Sequence, residues 1–254
     1  LHTGDAHLLD LDAPTVADVV GRLERTVITE DVTFRDLGAG LARLTVAGAG
    51  APAAIAAWIG EAPEAGRHVI RGGTRVLRRD LGSVPAYEVF LPEGDAPPEL
   101  PDLPDDAWTD LRLTERLPAW GAELGPDVLP LEARLADSAV SFSKGCFPGQ
   151  EPVAMAWHRG HPARLLVRVA LEGALPSAGD ALQADGREVG RLTTVAGGRA
   201  LAYVRWDRVE EGAVLDVEGG ATARLLDGRD GTIAPGRAPA GRGLPRRSRV
   251  DTPW

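Results

Sequence analysis

Near the start of the chain, Val16, Val19, Val20 and Leu23 recur at helical spacing behind Pro14 and Thr15, which predicts an amphipathic helix to about residue 26. Alternating patterns surround it. Residues 7–10, 32–36 and 41–47 read as strands, the last two joined through Gly38 and Gly40. An Ala-rich helix follows over 51–59 and stops at Gly60. Residues 67–70, 74–80 and 86–91 read as three further strands. Grouped strands with an occasional helix predict an α+β layer rather than strict βαβ repetition. Prolines 92, 97, 98, 101 and 104, mixed with acidic residues, then mark a long loop or linker. One or two helical turns over 107–113, capped by Asp105 or Asp106, come next. Another short helix or two is expected over 121–136, starting at Pro126 and Pro130. Beyond Pro162 the period shortens. Residues 165–171, 181–183, 188–195, 199–204, 213–217 and 221–226 are short strand candidates. The turn pairs Gly179-Asp180, Asp185-Gly186, Gly197-Gly198 and Asp227-Gly228 punctuate them, predicting a small antiparallel β-barrel.

These patterns divide the 254 residues into an α+β domain over 1–162, a barrel over 163–236 and a basic, disordered tail over 237–254. The chain begins with Leu1 and its one Met is Met155, so a further segment is expected in front of the α+β part. No apolar run approaches the roughly 20 residues that span a bilayer, so no membrane partner is expected. A single Cys rules out an internal disulfide and fits a reducing cytoplasm. The net charge of −9 argues against general nucleic-acid binding.

The chemistry concentrates in one segment, Lys144-Gly145-Cys146-Phe147-Pro148-Gly149-Gln150-Glu151. Lys144 is the sole lysine and Cys146 the sole cysteine. Gly145 and Gly149 allow a tight loop and close approach. Gln150, Glu151 and Pro152 read as the first turn of a helix to about residue 158. A neighbouring Lys favours the thiolate of Cys146. Gln150 and Glu151 offer the donors and acceptors that would hold the edge of a flat heterocycle such as a pterin. Weighed beside this, Cys146 is either a reactive, cluster-contacting thiol or a small packed residue. His158 and His161 are too few for a zinc site, and no metal is expected. Trp120 or Trp157 would be the aromatic to stack on a ring, whereas Tyr87 and Glu88 read as core and strand edge.

The segment resembles the signature of the YgfZ-type folate-binding proteins, relatives of the glycine cleavage T-protein (aminomethyltransferase) that act in iron–sulfur cluster assembly or repair. Val140-Ser141-Phe142, Arg159-Gly160-His161-Pro162, Gly190-Arg191-Leu192-Thr193-Thr194 and Tyr87-Glu88-Val89 are similar to the family's flanking segments, as is the 111–123 stretch with Arg112, Pro118, Gly121 and Glu123. Position 147 is usually Tyr, Met155 stands where the family has Arg, and Thr114 stands where T-proteins have Glu. The resemblance implies a T-protein-like α+β folate-binding domain, incomplete at its front, followed by the barrel. It implies tetrahydrofolate as cofactor, held by Gly149, Gln150, Glu151, Arg164 and Trp120. Cys146 and Lys144 would be the chemically active pair. It further implies a monomer whose partners are iron–sulfur cluster carriers or client enzymes, among them enzymes that modify tRNA. An accessory factor is expected rather than an enzyme. A folate-dependent aminomethyltransferase and a folate-free scaffold are the alternatives.

Overall fold

The computed structural model describes residues 6–229, which divide into two compact units, one ending at Asp102 and the other beginning at Leu103. The expected tail lies outside the described residues.

In the first unit a single 3-10 turn, Ala13–Thr15, leads into α1 (Val16–Glu24). Strand β1 (Leu41–Ala47), helix α2 (Ala51–Ile59) and strands β2 (His68–Arg71), β3 (Thr74–Arg78) and β4 (Ala86–Pro92) follow. The strands form an antiparallel sheet in the order β1-β4-β3-β2. Gly60 ends α2 in the left-handed conformation, φ 88°, where a Cβ would be strained. One face of β4, carrying Tyr87, Val89 and Leu91, forms a core with Val46, Val76 and the α2 residues Ala51 and Ile55. Glu88 faces the opposite way. It sits on a central strand rather than an edge, and it is buried. Its carboxylate accepts from Thr45 Oγ1 (3.0 Å) and pairs with Arg43 (3.0 Å), whose Nε reaches Asp10 (3.1 Å). A buried carboxylate needs such partners to remain charged.

Two expected strands are absent. Residues 32–36 are irregular, and residues 8–10 form no strand. In the second case the Asp10 side chain is tied to Arg43 of β1. Alternation alone does not make a strand when no ladder partner adopts the register.

The second unit contains α3 (Asp105–Glu115), α4 (Ala136–Ala139), α5 (Gln150–Arg159) and six strands: β5 (Arg164–Glu172), β6 (Ala181–Ala184), β7 (Arg187–Ala196), β8 (Arg199–Arg205), β9 (Val214–Val217) and β10 (Thr222–Leu225). The strands close into an antiparallel barrel in the order β10-β5-β8-β7-β6-β9. Closure removes every sheet edge. Leu165, Val167, Val169, Leu182, Leu192, Ala200, Ala202 and Val204 fill the interior. Leu166, Leu201 and Tyr203 point outward and pack with Leu113 of α3. This is why Ala200 to Val204 of β8 form an unbroken apolar run: both faces of that strand are covered.

Helix α3 is longer than expected, and Asp105 and Asp106 lie inside its first turn instead of capping it. There they complement the positive end of the helix dipole. The helices expected over 121–136 are turns instead, save for the short α4 that begins at Ala136. Glu123 organises these turns: it accepts from the Ala119 N–H (3.0 Å), Arg112 Nη2 (2.5 Å) and Thr194 Oγ1 (2.5 Å) while almost fully buried. Asp227-Gly228 is no hairpin turn. Asp227 follows the last strand, is buried, and binds the Arg168 N–H (2.7 Å), the Arg168 guanidinium (2.7 Å) and Arg116 (2.9 Å).

Candidate functional site

Residues 144–149 form an irregular loop that ends at Gln150, where α5 begins. Two contacts fasten it. Phe142, just before the loop, stacks on Trp157 of α5 with ring centroids 3.8 Å apart. These rings join Leu131, Val153 and Ala156 in a small apolar cluster. At the other end Gly149 takes φ 82°, and the chain turns on Phe147 and Gln150. The Gln150 N–H donates to the Phe147 carbonyl (3.2 Å), and the Phe147 N–H donates to Gln150 Oε1 (3.2 Å). The carbonyl end of the Gln150 amide is therefore used to shape the loop, and its NH₂ end is the part left for a ligand.

The chemically distinctive side chains lie on the outside of this frame. Lys144 Nζ sits 4.5 Å from the centroid of the Phe147 ring, a cation–π contact that explains why an aromatic serves there without a hydroxyl. Cys146 is an exposed free thiol, not a packed small residue. Glu151 is exposed in the first turn of α5, and Met155, 60% exposed, follows it one turn later on the same side. Lys144, Cys146, Gly149, Gln150 and Glu151 thus share one loop and helix start.

Arg164 and Trp120 are placed differently. Arg164, at the start of β5, donates from Nε to Glu132 (3.1 Å) and from Nη2 to the Asp127 carbonyl (3.3 Å), and its guanidinium lies 4.6 Å above the Tyr203 ring. Trp120 is 48% exposed and bridges to Leu124. His161 stacks on Trp206 (5.1 Å) and its Nδ1 is 2.9 Å from the Pro162 carbonyl oxygen, while His158 is exposed on α5. Among the described residues no group of three or more His, Cys, Asp or Glu is placed to hold a metal.

A cleft of about 280 Å³ opens between the 122–128 turns and the outer barrel face, lined by Glu123, Asp127, Arg164, Arg191, Thr193 and Tyr203 among others. Tyr203, itself buried, is one of the lining residues. Its hydroxyl donates to the Glu123 carbonyl (2.9 Å), and burial raises its pKa above the ordinary phenol value although Arg164 acts the other way. Sequence reasoning did not assemble this cleft. Its one visible trace is the outward parity of residues 191, 193 and 203 on neighbouring strands.

The architecture, an α+β unit and a unit carrying a closed six-stranded barrel, is that of the T-protein fold. A crystal structure of the glycine cleavage system aminomethyltransferase T from Bartonella henselae superposes with a TM-score of 0.65 over 84% of this chain and 65% of that one, at 19% identity. Residues 164–227 match the family of the CAF17 C-terminal beta-barrel domain. In sequence the chain is 32% identical over 151 residues to the mitochondrial iron–sulfur cluster assembly factor IBA57 of Mus musculus, covering 54% of this chain and 42% of that protein. It is 34% identical over 113 residues to an aminomethyltransferase of Desulfitobacterium hafniense (42% and 31% covered). It is 35% identical over 116 residues to the tRNA-modifying protein YgfZ of Aliivibrio fischeri (44% and 34% covered). The resemblance first carried by the motif therefore stands: this chain is a relative of the YgfZ and IBA57 proteins and of the aminomethyltransferases. The matched stretches span about a third to two fifths of these relatives. Among the described residues no helix is long and apolar enough to cross a membrane.

Proposed function

We propose that this protein binds tetrahydrofolate and supports the assembly or repair of iron–sulfur enzymes, including enzymes that modify tRNA, with Cys146 as its functional thiol. The observation that carries the reading is the exposed Cys146 in a loop whose shape is set by Gly149 and Gln150 and whose Lys144 is steadied on Phe147. Gly149, the Gln150 NH₂ and Glu151 would take the pterin edge, and Lys144 would favour negative charge on the thiol or ligand. An accessory role fits the names of the IBA57 and YgfZ relatives, and the cytoplasm is our reading of the compartment. Folate is expected to quench Trp fluorescence saturably at about micromolar concentration. Absence of binding up to about millimolar would sink the folate part and leave a scaffold acting through protein contacts. Separately, Cys146→Ala is expected to lower the activity of a cluster-dependent enzyme while leaving the protein folded.

The aminomethyltransferase match supports a second reading, turnover of an aminomethyl donor. Thr114 weighs against it: its hydroxyl accepts from Arg199 (2.9 Å), a structural task on the barrel's outer face.

A further inference from the structure

The cleft at Tyr203 is built from three neighbouring barrel strands. Arg191 of β7 lies directly opposite Tyr203 of β8 in the ladder, and Tyr203 lies opposite Leu166 of β5, two residues beyond Arg164. All three side chains therefore share the outward parity of the sheet. Both guanidiniums are held in place along part of their edge. Arg164 is fixed by Glu132, by the Asp127 carbonyl and by the Tyr203 ring. Arg191 donates from Nη1 to the Gly179 carbonyl (2.6 Å) and from Nη2 to Glu188 (2.8 Å). These contacts use two of the five N–H donors of each guanidinium, so Nη1 of Arg164, Nε of Arg191 and the second hydrogens of the bonded Nη atoms remain for a ligand.

We propose that this cleft binds the carboxylate or phosphate group of a small molecule, held by Arg164 and Arg191 at the Tyr203 ring. Guanidinium groups recognise such oxyanions through paired, charge-assisted hydrogen bonds. Fixing the cations beforehand lowers the ordering cost of binding. The size sets the ligand class. At about 280 Å³ the cleft is just below the roughly 300–1,000 Å³ of sites for whole drug-sized ligands, so it takes a small molecule or one arm of a larger one. The charge narrows it further. Glu132 and Glu188 pair with the two cations, Asp127 lines the cleft, and the lining Glu123 is paired with Arg112, so a polyanion is disfavoured and a single carboxylate or phosphate group fits.

The test is calorimetric titration of the whole chain, without folate, with succinate and separately with inorganic phosphate at low salt. Saturable binding of at least one probe is expected, weakened about tenfold or more by Arg191→Gln. Arg187→Gln, an exposed arginine of β7 outside the cleft, should bind like the parent, and neither variant should change the thermal midpoint. Binding of succinate alone assigns the site to carboxylates, of phosphate alone to phosphates, and of both to either group. Failure of both probes to saturate, or unchanged binding in Arg191→Gln, overturns the proposal. Because folate is absent, neither result depends on the folate reading.

Discussion

The barrel and the front sheet solve the same burial problem with different completeness. The barrel closes, so each of its strands has two ladder neighbours and its inward side chains are almost wholly buried. The front unit has an open sheet with β1 and β2 at its edges, and α1 buries none of its residues fully. Ile28 is 87% and Val32 50% exposed there. Hydrophobic stabilisation follows the apolar area removed from water, so the same substitution should count for much more in the barrel. Chemistry is divided differently again: the loop of Lys144 and Cys146 belongs to neither sheet and depends on a small aromatic cluster of its own.

The largest effect should come from the barrel interior. Leu165→Ala is expected to cost about 2–5 kcal/mol, against less than about 1 kcal/mol for Val19→Ala on the half-exposed face of α1. Urea denaturation of each variant would break the comparison if the two costs were alike. Next comes Gly190→Ala. A Cβ there would collide with the Tyr203 carbonyl oxygen and come within 3.1 Å of Val204 Cα, where only backbone movement gives relief. About 1–3 kcal/mol of destabilisation should appear in the same measurement.

Asp227 supplies a pH-dependent test. Burial works to raise its pKa, but the Arg168 side chain and N–H, with Arg116, outweigh this and hold it below the ordinary carboxylate value. A depressed folded-state pKa stabilises the fold fully above the unfolded value, near about 3.9, and that contribution disappears as pH falls through the folded value. Asp227→Asn should cost about 1–2 kcal/mol at neutral pH. Thermal midpoints followed below about pH 4 should then fall less steeply in the variant than in the parent. The smallest effect belongs to the exposed loop. Cys146→Ala should change stability by no more than about 0.5 kcal/mol, and a larger loss in a thermal melt would show the thiol to be structural.

Legibility followed the same division. The barrel strands were readable because turn pairs of glycine and aspartate interrupt them at short intervals; Gly197 and Gly198 adopt φ 57° and 75° in the β7–β8 turn. Helix α2 was readable because Gly60 stops it, and α5 because Gly149 and Pro152 open it. The turns over 121–136 were misread as helices because Pro126 and Pro130 are as welcome in a turn as at a helix start. Nothing local reveals that the Glu123 carboxylate gathers Ala119, Arg112 and Thr194. Asp227 was misread as a turn residue for a similar reason, since its partners lie 59 residues away at Arg168 and farther still at Arg116.

By itself the sequence determined the alternation of strands, the closing of helices by glycine, and the adjacency of Lys144, Cys146, Gln150 and Glu151, because each rests on neighbours within a few residues. Tertiary structure alone decided which face of β5 and β8 meets α3, and that Gln150 uses half its amide on its own loop. It also decided that Arg164, Arg191 and Tyr203 converge on one cleft. Those outcomes depend on ladder register and barrel closure, which bring together groups whose separation along the chain carries no local signal.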